Sequence, residues 1–97
     1  MTGEVANPLE WIELMKKLND GLVKAVTLAD SKETFGTQEQ IDSENEFFEL
    51  VWGIVSPECR EAVEHGIIKT TAVERLSLAY QVAFITMSGG DYRIVLD

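Results

Sequence analysis

Apolar residues recur along most of the chain at intervals of three and four, the signature of helices that each bury one side. The first such run is Leu9, Ile12, Met15, Leu18, Leu22, Val26 and Ala29. Trp11, Leu14 and Val23 widen it, and Glu13, Lys17, Asp20 and Lys24 occupy the other side. Asn7-Pro8 supplies an N-cap and a proline at the first helical position, where a missing N–H is harmless. This pattern predicts a helix from Leu9 to about Asp30. Gly21 is its weak point, since a mid-helix glycine costs about 1 kcal/mol relative to alanine. The alternative is a turn at Asn19-Asp20-Gly21 followed by a short strand over Leu22–Leu28. The unbroken helical spacing through Gly21 favours one helix.

A loop around Gly36 leads to Thr37, whose spacing to Gln40 fits a capping box. The second predicted helix, from Gln38 to Val55, carries Glu39, Asp42, Glu46 and Glu49 on one side. Ile41, Phe48, Val51, Trp52 and Val55 lie on the other. Phe47, Leu50 and Ile54 make its last turns apolar nearly all round, as expected of a central helix or one that meets a partner. Ser56-Pro57-Glu58 opens a short third helix with Cys59, Ala62 and Val63 inward, and His65-Gly66 reads as its glycine-capped end. Ile67 and Ile68 are expected to fold back onto the core.

Thr71 and Glu74 form a second capping-box pair ahead of a helix from Ala72 to about Met87. Its predicted inward stripe is Val73, Leu76, Tyr80, Ala83, Phe84 and Met87, broadened by Ala79, Val82 and Ile85. Ser88-Gly89-Gly90 ends it. Tyr92, Ile94 and Leu96 alternate with Arg93 and Val95, which suits an extended tail or an edge strand in need of a mate. The expected fold is therefore mostly α: one small domain, a compact bundle of about four helices, with a short C-terminal β-strand as the open option.

Charge changes this picture locally. The 97 residues carry 17 acidic and 8 basic side chains, a formal net charge of −9. Ten of the acids fall between Asp30 and Glu64, against only Lys32 and Arg60. Phosphate binding wants Lys and Arg, so direct binding of DNA or RNA is not expected. A basic protein partner, or solubility alone, suits the acidic window better. No stretch is long and apolar enough to span a membrane. Cys59 is the sole cysteine, so no disulfide framework exists, and a cytoplasmic setting is expected.

Candidate chemistry is thin. His65, the single histidine, has Glu61 one turn before it, but two ligands do not close a zinc site. Cys59 sits near a helix start, which can lower a thiol pKa, yet its spacing with Ala62 and Val63 points to core packing. No calcium loop and no phosphate-binding glycine motif is present. Neither a metal nor a cofactor nor a catalytic centre is expected.

The remaining signal is a surface. Glu39, Asp42, Glu46, Phe47, Phe48, Glu49 and Trp52 form the candidate partner-binding set, an acidic face beside aromatic anchors. The expected function is a non-enzymatic protein-interaction module: an adaptor, a chaperone-like factor or a small inhibitor. One alternative is a DNA mimic that inhibits a nucleic-acid-binding protein, since the acids track roughly 15 Å of helix. Another is a homo-oligomeric structural or assembly protein, a homodimer being one such state.

Overall fold

In the computed structural model, residues 8–68 and 70–96 are described; the Asn7 cap expected from the sequence lies outside them. The first helix, α1 (Pro8–Ala29), runs through Gly21 without a break, so the strand alternative at Leu22–Leu28 does not occur. It is followed by α2 (Gln38–Trp52), α3 (Pro57–Gly66), α4 (Ala72–Met87) and a single turn, α5 (Arg93–Leu96). The segment expected as a tail or edge strand is thus helical, and no strand exists among the described residues. A lone strand would leave a row of backbone donors and acceptors unpaired, whereas one helical turn bonds within itself. Val95 donates to Tyr92 O at 3.0 Å in this way.

Side-chain caps set the helix starts. Thr37, Ser56 and Thr71 each accept from the backbone N–H three residues on. Only Thr71–Glu74 closes a full capping box. Gln40 instead uses its Oε1 to accept from Gly36 N–H at 2.9 Å, which secures the loop ahead of α2. At the far end of α4, Gly89 adopts φ +81°. Gly90 N–H reaches back to Ile85 O and Gly89 N–H to Thr86 O, the nested pair of a Schellman end. Gly66 does not act as the left-handed cap expected of it: positive φ among the described glycines is confined to Gly36 and Gly89. The third helix runs through Gly66 and is capped at Ile67.

Three contacts fix the topology. An added Cβ on Gly21 would lie 3.2 Å from Phe47, eight and nine residues from the loop between α1 and α2, so the two helices are antiparallel neighbours. Arg75 meets Glu44 at 3.4 Å, and five residues on, Tyr80 Oη donates to Asn19 at 2.6 Å. These pairings make α4 antiparallel to α1 and parallel to α2. The three helices enclose the core, and α3 and α5 pack on α4. Fully or nearly buried are Leu18 and Ala25 of α1, Phe47 and Val51 of α2, Cys59 and Val63 of α3, and Leu76, Ala79, Val82 and Ala83 of α4.

The buried side of α1 differs from the predicted stripe. It follows Trp11, Met15, Leu18, Leu22 and Ala25, alternating steps of four and three. Leu9, Ile12 and Val23 stand 56–67% exposed. Each three-residue step falls about 60° short of a full turn, so the run Leu9–Ile12–Met15–Leu18 rotates half-way round the helix. In α4 the four-residue steps Leu76–Tyr80–Phe84 each overshoot a full turn by about 40° and carry Phe84 outward, while Ala79 and Val82 take the core. Ile67 packs on the core as expected, and Ile68 is exposed.

Candidate functional site

The second helix has three sides, about a third of a turn apart. Its inward side is Gln40, Ser43, Glu44, Phe47 and Val51, all buried. Glu39, Asp42, Glu46 and Glu49 form an exposed row on the outside. Between them runs a third row, Ile41, Phe48 and Trp52, with Ile41 exposed and both aromatic rings half-buried. Of the candidate partner-binding set, the acidic row, Phe48 and Trp52 therefore share one continuous outer surface. Phe47 does not belong to it: at 1% exposure it is a core residue, packed against Gly21 of α1.

The aromatic row is built by stacking. The Phe48 and Trp52 rings lie 5.5 Å apart at a 30° tilt. Phe47 meets Phe48 edge-on at 6.0 Å, which ties the surface ring to the core. From α3, the Arg60 guanidinium lies 5.1 Å from the centre of a Trp52 ring, within cation–π range. Its Nε also lies 3.7 Å from Glu64. Arg60 thus joins the site although sequence spacing did not single it out. The available signal was its isolation: it is the single basic residue between Glu33 and Glu64.

The acidic row is open to solvent. Gln38 Nε2 donates to Asp42 at 2.8 Å. Among the described residues, none of Glu39, Asp42, Glu46 and Glu49 is in an ion pair. The buried acid of α2 is a different residue, Glu44. It accepts from Gln40 Nε2 and faces Arg75 of α4. Polar residues at inward positions 40, 43 and 44 could not be assigned to the core from hydropathy, and the structure explains them by this network. Ser43 completes it by donating to Gln40 O at 2.8 Å.

The residues weighed for chemistry are set apart from this surface. Cys59 is buried in the core, and burial pushes its thiol pKa up, the opposite of what a thiolate nucleophile needs. His65 lines an open groove of about 550 Å³ with Glu58, Glu61 and Leu96. Among the described residues, no three of His, Cys, Asp or Glu converge as a metal-holding group. No helix of the described residues is long and apolar enough to cross a membrane. In comparisons with known families, curated proteins and solved structures, nothing matches this chain.

Proposed function

We propose that this protein is a non-enzymatic interaction module that binds another protein through the outer side of α2. The observation that supports this most directly is the juxtaposition of two rows on one helix. An acidic row that is in no ion pair among the described residues runs beside a Phe48–Trp52 pair that Arg60 covers from α3. Acids at the edge steer and align a basic partner, and half-exposed rings supply the area that desolvates on contact. The aromatic rings are already held by the core and by Arg60, so little ordering is needed when they bind. An adaptor or small inhibitor fits this surface. The unpaired cysteine supports a reducing compartment, the cytoplasm, as its setting.

Affinity capture from native lysate at low and high salt, with the mass of each purified complex, tests the proposal. A complex that survives high salt and is lost on Trp52→Ala or on Ile41→Ser is the expected result. Circular dichroism on both variants guards against simple unfolding, and Ile41, being exposed, leaves the core intact. A complex seen only at low salt, and abolished by neutralising the acidic row, would replace this reading with mimicry of a phosphate backbone. Recovery of no partner at either salt would sink both.

A further inference from the structure

The outer side of α1 is apolar at three positions that the fold leaves uncovered. Leu9, Ile12 and Val23 are 67%, 56% and 64% exposed. Between them, on the same side, lie the exposed Lys16 and Asp20, and the stripe ends at the exposed Thr27. These six positions fall within about 80° of arc and span roughly 27 Å of helix. Their order is self-complementary. When α1 is set antiparallel to a copy of itself with the midpoint near Leu18, Leu9 faces Thr27, Ile12 faces Val23 and Lys16 faces Asp20. The neighbouring flank repeats the match, because Glu13 then faces Lys24. A parallel arrangement would set each charged residue against its own copy.

We infer that the outer side of α1 pairs with a second copy of this chain in an antiparallel, two-fold arrangement. Two-fold symmetry doubles every contact, giving two Ile12–Val23 meetings, two Leu9–Thr27 meetings and, with the flank, four opposite-charge meetings. Among the described residues, Glu13, Lys16, Asp20 and Lys24 are in no ion pair within the chain, so all four are available. The electrostatics of the whole molecule also favour this side. α1 holds three acids and three lysines, whereas the window from Asp30 to Glu64 holds most of the net charge. Pairing through α1 brings together the neutral sides of two strongly acidic molecules. Phe84 of α4 is 40% exposed one turn beyond Tyr80, which bonds Asn19 of α1.

Sedimentation of the full chain across a concentration series, with charge-reversal variants, tests the pairing. The wild type is expected to dimerise. Lys16→Asp and Asp20→Lys are each expected to weaken self-association at least about tenfold, because two like-charge meetings replace two attractive ones. An equimolar mixture of the two variants is expected to regain the dimer as a heterodimer, since each then supplies what the other lacks. Neutralising the acidic row of α2 is expected to leave the dimer unchanged. Four results would overturn the inference: a monomeric wild type, single variants that dimerise like the wild type, a mixture that stays monomeric, or loss of the dimer on neutralising α2. Both reversed positions are exposed, so folding, checked by circular dichroism, does not confound the comparison.

Discussion

At the scale of single residues, Gly21 shows how a local weakness is set by a distant contact. Glycine is a poor helix residue, but here the absent side chain lets the Phe47 ring approach, and a Cβ would lie 3.2 Å from it. Alanine at this position gains about 1 kcal/mol in helix propensity. It also overpacks a fully enclosed ring, at a cost of about 1–3 kcal/mol. Gly21→Ala is therefore expected to lower stability in urea denaturation by about 1 kcal/mol. In the background of Phe47→Leu, the same change is expected to be stabilising, because only the propensity gain remains. Equal effects in both backgrounds would show that the ring is not the reason for the glycine. Glu44 gives a second residue-scale test. Arg75→Met removes its cross-helix partner and leaves a nearly buried carboxylate with Gln40 alone. The expected loss is about 1–3 kcal/mol, and Glu44→Gln in the same chain should recover part of it.

Among the elements, those with strong punctuation were legible in the sequence. Ser56-Pro57 and Thr71-x-x-Glu74 mark the starts of α3 and α4, and Gly89 ends α4. The faces were less legible, because runs of three-residue steps rotate around a helix and the eye joins residues that the axis separates. Leu9 was read inward for that reason and stands outward; Phe84 stands outward because four-residue steps from Leu76 and Tyr80 rotate the other way. The inward polar trio of α2 was hidden for the opposite reason: Gln40, Ser43 and Glu44 satisfy one another and Arg75, which hydropathy does not encode. In the candidate site, the acidic row and the Phe48–Trp52 pair could be seen in the sequence, whereas Arg60 is brought to Trp52 only by the packing of α3. The last element was misread because alternation over five residues suits one helical turn as well as a strand. Asp91 holds that turn, accepting from the Arg93 backbone N–H at 2.9 Å and from its guanidinium at 2.6 Å. Hydrogen bonds from the Arg93 side chain and backbone lower its pKa from 3.8 to about 2. A lowered carboxylate pKa favours the folded turn above the ordinary value and loses that contribution as the carboxyl protonates. The Arg93 amide resonance is thus expected to shift between about pH 4 and pH 2 as α5 loosens. An Asp91 that titrates near 3.8 would contradict the interaction.

Over the whole molecule, charge and apolar surface are divided between sides. The principal extents are 42, 30 and 16 Å, a slab thin enough for one helix to present its outer side broadly. α1 offers a neutral, self-complementary stripe, and α2 offers an acidic row beside aromatic rings. A protein with both can pair with itself and still hold a different partner, one on each copy. The two surfaces lie on different helices and are expected to be separable by mutation. The most direct test of the central claim is hydrogen–deuterium exchange on the purified complex with its captured partner, compared with the free protein at the same concentration. New protection is expected across Gln38–Trp52, with α1 unchanged between the two samples. New protection confined to α1, with Gln38–Trp52 exchanging as in the free protein, would contradict it.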